Sequence, residues 1–577
     1  MTVKKTKRLM AFMCVLILMP MSLAYAAEDG AHSTYTYNYD YWEDIRESPD
    51  AYRVAAVIRS SDLDLGGTDL SAPQSLFALD DKLYIADRGN NRIVELTRKG
   101  QDFICTRIID HAVVPDDLRE EFLKDTDLML AENGRRYRDD DGNLYLKPAA
   151  NSSAELGPMI LTPEGITNLN TPNDMAVVVM KDEDGTETRY MWIADTNNNR
   201  VLKIDITGDE PVFVRQFVKP TDATFDQNQA FLPNKIVVDS SGRVFVQATN
   251  INKGLVKFES DATFTGFIGA NQVVYNLWDY IWKTFFTTKE QRSQQASFVP
   301  TEYQNIYIDK NGFIYATNIS FSEYDLLYDN AKPIRRLNAV GTDILIKNDH
   351  YPPIGDLKWV EQSTDHGPSK FYDITVLDND MYMAIDRTRG RIFGYDPQGI
   401  MLWAFGMSGV SSDGSFNRAV SIEHMGYDLL VLDELDCSVT VFTPTEYGNL
   451  IYQASEEYLD GQYDQSAETW QEVMKYNPNY TLAIIGIGRS EMREAAELST
   501  TQERIAKYAD AMEHFKNAHD RENYGRAFRY YRKEWVEQNI WWIVLIVAAL
   551  LVVPVIKRSV QKIKWEVAAY ESRQVHK

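Results

Sequence analysis

Between residues 171 and 205 the chain reads TPNDMAVVVMKDEDGTETRYMWIADTNNNRVLKID, and no other stretch limits the fold so tightly. MAVVV and RYMWIAD are short β-branched and aromatic runs, VLKID alternates, and Asp, Gly, Thr and Asn cluster between them. That is the pattern of consecutive strands joined by tight turns. PVFVRQFV at 211–218 adds a fourth strand. A lone four-stranded unit cannot bury its apolar faces, so it needs neighbours of its own kind.

The chain supplies them. SAPQSLFALDDKLYIADRGNNRIVEL at 71–96 keeps the same order, with Asp87, Asn91 and Arg92 where Asp195, Asn199 and Arg200 fall. Further copies open at LPNKIVVDSSGRVFVQATN (232), EYQNIYIDKNGFIYATN (302), KFYDITVLDNDMYMAIDRTRGRIFGYD (370) and FNRAVSIEHMGYDLLVLDELDCSVTVF (416). Units recurring at irregular spacing without helices of their own predict a mainly β fold, a six-bladed β-propeller over 50–448 with insertions near 110–170 and 270–298. YRVAAVI at 52–58 is placed to supply the outer strand of the last unit and leave no edge unpaired. The run Ala-Asp-x-x-Asn-Asn-Arg resembles the NHL repeat, a propeller repeat. The Asp and Arg within it have a sufficient structural reading, since Asp in a tight turn accepts backbone N–H groups and Arg can bridge to the next unit.

Both ends of the chain speak of a membrane. Lys4, Lys5, Lys7 and Arg8 precede an uncharged run over 9–23, and Ala24-Tyr25-Ala26 offers a cleavage site, so 1–26 reads as an export signal. IWWIVLIVAALLVVPVI at 540–556 is uncharged and about 25 Å long as a helix, close to a bilayer core. Lys557, Arg558, Lys562 and Lys564 follow it and predict a cytoplasmic tail, 557–577, with the larger part of the chain outside the cell. The net charge is −24; removing the +4 of residues 1–26 and the +4 of the tail leaves −32 on the rest. A surface that acidic excludes nucleic acid as a partner. The mature chain holds Cys105 and Cys437 alone, too few for a disulfide scaffold. Whether these two pair is left open.

After residue 448 the period becomes helical. YLDGQYDQSAETWQEVMKYNPNY at 458–480 resembles a tetratricopeptide repeat, with Ser466 where the pattern has Ala, and a weaker unit follows, giving a short helical array over 449–535. The layout of signal, NHL-like units, helical repeats and membrane segment resembles the extracellular NHL and tetratricopeptide proteins of Gram-positive bacteria associated with carbohydrate ABC transporters. The matching residues are TKEQRS (288–293), FVPTEYQNIYID (298–309) and 442–535. That group often carries a multi-helix Yip1-type domain, which is absent here. The resemblance implies an accessory role beside a membrane transporter or another protein partner.

The start of each unit's first strand is where side chains meet at the centre of such an assembly. Aligning PQSL, PNDM, PNKI, YQNI, FYDI and NRAV gives third positions Ser75, Asp174, Lys235, Asn305, Asp373 and Ala419. The second positions are Gln74, Asn173, Asn234, Gln304, Tyr372 and Arg418. Ten of these, omitting Ser75 and Ala419, form a candidate binding mouth suited to a hydroxyl-rich ligand such as a carbohydrate. Asp174→Ala with Asp373→Ala is expected to leave folding intact and abolish capture. No cofactor, metal or catalytic residue is expected, because G-x-S-x-G is absent and the eight His show no ligand spacing. An enzyme is the less favoured reading. Its form is a calcium-dependent hydrolase resembling gluconolactonase, with Asp174, Asn234, Asn305 and Asp373 around the ion. The run Asp139-Asp140-Asp141-Gly142-Asn143 lacks the closing Glu of a calcium loop and reads as a solvated turn. The aromatic segment YNLWDYIWKTFF at 275–286 reads as a helix packed on the sheets, or as an exposed docking element.

Overall fold

The computed structural model describes residues 34–39, 45–127, 135–147, 159–181, 185–269, 303–321, 325, 332–346, 353–356, 368–409, 413–478 and 480–575. The export signal, the aromatic segment at 275–286 and the matching residues 288–302 lie outside them.

Turn chemistry sets the strands. In Asp239-Ser-Ser-Gly-Arg the carboxylate accepts the N–H groups of Ser241 (2.9 Å) and Arg243 (3.0 Å), and Gly242 takes φ +78° to let the chain reverse. Asp309, Asp396 and Asp139 head turns of the same form, with Gly312, Gly399 and Gly142 at positive φ. The Asp139 run is therefore a hairpin turn between Arg135–Arg138 and Leu144–Lys147.

Six sheets follow. The first holds Ser75–Leu79, Lys82–Asp87, Arg92–Lys99 and Asp102–Ile109, each antiparallel to the next. The second begins at Pro172–Lys181, the third at Pro233–Val238, the fourth at Asn305–Ile308, the fifth at Phe371–Val376 and the sixth at Ala419–Met425. Tyr52–Arg59 pairs antiparallel with Ser438–Pro444 at the outer edge of the sixth.

The expectation of a closed six-bladed propeller is corrected. The sheets are open and separate, none closes on itself, and their strand numbers are unequal. The second and fifth have six strands, because His111–Val113 and Ile166–Asn168 join the one and Tyr37–Tyr39 and Ile45–Glu47 join the other; the fourth has three among the described residues. The first strands lie against one another by packing, the sixth beside the first, with no ladder of backbone hydrogen bonds between these sheets among the described residues. The fold is a mixed α and β arrangement of several open sheets.

Helix α1, Arg119–Asp127, sits in the insertion and buries Phe122 edge-on against Phe213. Five helices close the chain: α2 (Glu446–Leu459), α3 (Tyr463–Tyr476), α4 (Thr481–Glu497), α5 (Thr501–Asn517) and α6 (Arg521–Val575). Each packs on the next. They are not a clear tetratricopeptide array, since α2 and α3 have 14 residues, α4 and α5 have 17, and α6 runs on for 55 through the apolar segment. The segment around 540–556 is exposed at every residue but the half-buried Ile543 and is long and apolar enough to cross a membrane. The helices dock on the fifth and sixth sheets through one apolar cluster that joins Trp403, Phe442 and Leu429 to Tyr452, Trp470 and Leu482. Tyr480 Oη donates to Leu402 O at 2.7 Å across that joint.

Candidate functional site

Four first strands carry the same irregularity. The pairing register slips between Pro172 and Asp174, Pro233 and Lys235, Phe371 and Asp373, and Ala419 and Ser421. A bulge re-aims the side chain beside it. Asp174, Lys235, Asp373 and Ser421 thereby meet Ser75 and Asn305 from the remaining two sheets, and all six are between 1 and 6 % exposed.

Their hydrogen bonds tie sheet to sheet. Asp174 accepts from Ser75 Oγ (2.5 Å) in the first sheet and from the N–H of Ile236 (2.8 Å) in the third. Asp373 accepts from Asn305 Nδ2 in the fourth sheet and from Ser421 Oγ (2.7 Å) and the N–H of Ile422 (2.8 Å) in the sixth. Ser421 Oγ in turn accepts from the N–H of Leu76 at 3.1 Å. Lys235 Nζ donates to Ser75 Oγ at 3.3 Å and lies 3.9 Å from Asp174 Oδ1. Burial pushes both carboxyls up, Asp373 to about 6, and the Lys235 ammonium opposes the shift at each. Because Asp174 and Asp373 hold the backbone of neighbouring sheets, replacing both by Ala would strip those partners, and lost stability as well as lost capture is expected of that double substitution.

Beside this network Asn173 Nδ2 donates to Asn234 Oδ1 (3.2 Å) and Asn234 Nδ2 to Gln247 Oε1 (2.9 Å). At the head of that chain Asn173 Oδ1 is buried with no hydrogen-bond partner among the described residues. Gln74 and Gln304 are half-buried at the equivalent positions, their N–H groups spent on Ala86 O and Thr317 O. Tyr372 is half-buried under the guanidinium of Arg387, 4.5 Å from its ring centroid. Arg418 does not join them. Its N–H reaches Asp433 Oδ2 and its guanidinium Glu434 Oε2 (3.4 Å). The sixth tetrapeptide is thus AVSI, two residues on from NRAV, and Ser421 is the member that sequence alignment missed. Its signal was an apolar Ile in the next position, as in PNKI, YQNI and FYDI.

Two residues further along the fifth and sixth first strands lie groups that no motif had pointed to. Thr375 Oγ1 lies 3.0 Å from Glu423 Oε2 and 2.8 Å from His424 Nδ1, with Thr375 and Glu423 buried. The paired Asp and Arg of the repeat play structural parts. Asp195 accepts from Asn170 N (2.7 Å), Asn198 Nδ2 (2.8 Å) and Arg200 Nε (2.8 Å), and Arg200 reaches Thr167 Oγ1 (2.9 Å). Asp87 and Arg92 repeat the arrangement.

A calcium ion does not fit. Both carboxylates are committed to N–H and O–H donors, an ammonium occupies the ground between them, and no group of three His, Cys, Asp or Glu among the described residues could hold a metal. Cys105 and Cys437 are free thiols at the edge of one apolar cluster.

No family model matches the chain, and no curated protein does. Solved structures give distant likenesses of fold. Virginiamycin B lyase from Staphylococcus aureus is 12 % identical, covering 67 % of this chain and 98 % of its own, with a TM-score of 0.34. BamB from Moraxella catarrhalis is 11 % identical, covering 69 % and 95 %, with a TM-score of 0.27. A putative 6-phosphogluconolactonase from Bacteroides uniformis is 12 % identical, covering 64 % and 89 %, with a TM-score of 0.26. These are β-propeller-fold proteins of several kinds, at a distance that carries no assignment. NHL-repeat membership and an accessory role beside an ABC transporter find no support among them and are withdrawn, along with the β-propeller label. The expectation against an enzyme is likewise withdrawn; lyases and a putative lactonase are among the similar structures, at identities and TM-scores that show no activity for this chain.

Proposed function

We propose that this chain is a membrane-anchored binding protein whose sheet region captures a small hydroxyl-rich ligand, of which a carbohydrate is the type. The observation that carries this is the unpartnered, buried Asn173 Oδ1 at the head of an amide chain through Asn234 to Gln247. A buried acceptor without a donor costs about 1–3 kcal/mol, which a ligand hydroxyl would recover. In this reading Gln74, Gln304 and Tyr372 line the mouth. Asp174, Lys235, Asn305 and Asp373 form its rigid floor.

The division proposed is sheet region 50–448, helices 449–535, membrane segment 540–556 and basic tail 557–577, with the sheets outside the cell. The export signal and the Lys and Arg after residue 556 support that orientation.

Calorimetry of the full chain in detergent against neutral mono- and oligosaccharides tests the reading. Saturable heat for at least one of them, weakened tenfold or more by Asn173→Ala, is expected. Heats that stay at dilution level across the panel would end it.

A second reading is hydrolysis at the same mouth. What favours it is a proton on Asp373 held near pH 6, in a cluster that also contains Ser75 and Lys235. Turnover of sugar lactones by the full chain, unaffected by chelator and lost in Asp373→Asn, is the outcome that would favour it.

A further inference from the structure

Helix α6 carries Lys and Arg on both sides of its apolar run. Lys557, Arg558, Lys562 and Lys564 follow it, while Arg521, Arg526, Arg529, Arg532 and Lys533 precede it among three carboxylates, Glu522, Glu534 and Glu537. The chain from 27 to 520 is net negative, so the start of α6 is a basic exception. Packing sorts its charges by face. Ala527 joins Ala511 and Phe515 of α5 in one apolar cluster, and Glu534 on the same side is held by Arg504 of α5 at 2.7 Å. Arg529, Arg532 and Lys533 lie on the other side, at spacings of three and four that make them one patch, and all three are exposed. Arg526 is tied to Glu522 and Arg532 lies over the Phe528 ring, 5.9 Å from its centroid. Arg529, Arg532 and Lys533 have no hydrogen-bond or ion-pair partner among the described residues.

We propose that these three residues form a recognition surface for anionic phospholipid headgroups, in the leaflet that faces the helical stack. The observation that carries this is the depth that the span imposes on the patch, because both belong to one unbroken helix. With Ile540 at the hydrocarbon edge, Lys533 and Arg532 stand about 10 and 12 Å outside it and Arg529 about 16 Å. Headgroups fill about the first 5–8 Å, and long Lys and Arg stems bridge the few ångströms left. Arg529 stays within about one Debye length of the phosphates, ~10 Å at 0.1 M salt. Exposed Trp541 and Trp542 fall at the depth where indole rings anchor a span. A guanidinium also meets a phosphate at two points. An anionic surface repels the acidic sheets and attracts this patch, which sets the pole of the protein that faces the lipid. The proposal rests on the membrane span of the reading above and not on the ligand at Asn173.

The test uses the full chain reconstituted in phosphatidylcholine vesicles, with spin-labelled phosphatidylglycerol or spin-labelled phosphatidylcholine as the probe. The basic tail attracts the same lipid, so Lys557, Arg558, Lys562 and Lys564 are first replaced by Gln. In that background a preference of about fivefold for phosphatidylglycerol at low salt is expected, at about fivefold for each cation in contact as the upper bound. It should fall at 1 M salt and disappear on adding Arg529→Gln, Arg532→Gln and Lys533→Gln, with the thermal midpoint in detergent unchanged. A preference that survives the triple substitution, or none in a chain that stays inserted, would overturn the proposal alone. A chain that carbonate strips from the vesicles would end the membrane-anchored reading and this proposal together. Salt-sensitive dimers in detergent that the triple substitution dissolves, with no lipid preference, would give the face to the acidic sheets of a second copy.

Discussion

Asp373 shows what one buried side chain can do to the whole protein. Its carboxyl titrates at about 6 in the fold against 3.8 for an unperturbed Asp, chiefly because burial disfavours the charge. Between those values the folded chain keeps a proton that the unfolded chain has shed, so stability falls as pH rises through this window and levels off above it. The loss amounts to about 3 kcal/mol. Asp373→Asn cannot ionise and lacks this component. The difference in urea midpoint between wild type and Asp373→Asn, measured at pH 4 and pH 7.5, should therefore shift in favour of the variant at the higher pH. An equal difference at both would contradict the burial argument. Asp195→Ala belongs to the same scale. It strands a buried Arg200 and two further donors, and should cost about 3–5 kcal/mol, read as a lowered thermal midpoint. Both Asp residues stood out in the sequence, but for different reasons and with unequal success. Asp195 could be read because its partners lie within a few residues or one turn. The partners of Asp373 come from two other sheets, and no local pattern announces that a carboxylate will serve as their common acceptor.

Among the elements, the helices offer two glycines with opposite forecasts. A Cβ on Gly486 would lie 2.4 Å from Trp470 Nε1, inside the packed face between α3 and α4. Gly486→Ala should therefore destabilise by about 1–3 kcal/mol despite the better helix propensity of Ala. A Cβ on Gly525 meets nothing within 4 Å, so Gly525→Ala should stabilise α6 by up to about 1 kcal/mol. Chemical denaturation of the two variants decides both; the same sign for each would show that packing at Gly486 is looser than drawn. Strands and turns were largely legible, because Asp-x-x-Gly turns and period-two runs are local chemistry. Their assembly was less so. The slip at Ala419 and Ser421 shifted one unit by two residues, and the strands that enlarge the second and fifth sheets come from an insertion and from the N-terminal segment, far away in sequence. The unequal helices escaped notice because local signals do not fix where a helix stops: α6 runs unbroken through Asn539, Pro554 and Ser559.

For the molecule as a whole, the charge pattern and the apolar stretch make a direct forecast. A chain ending at residue 538 should leave the membrane fraction on carbonate extraction, whereas the full chain should remain in it. Retention of the shortened chain would point to a second site of attachment. The acidic sheets, the apolar span and the basic tail were plain from composition alone. The ion pair of Asp396 with Arg489 was not, since it forms only where a sheet turn and a helix 93 residues later come together.

One last consequence follows from α6. Its first turns are clamped to α5 by the Arg504 and Glu534 ion pair (2.7 Å) and by stacked Tyr508 and Tyr530, and from there it runs without a loop to Val575. At 1.5 Å per residue the stretch beyond Glu534 is about 60 Å long, and a tilt of about 10° at the clamped end sweeps the far end through roughly 11 Å. Pro554 is the one joint along it where a backbone bond is missing and bending is cheap. Whatever leans on the helical stack is thus geared, mechanically, to the chain's opposite terminus.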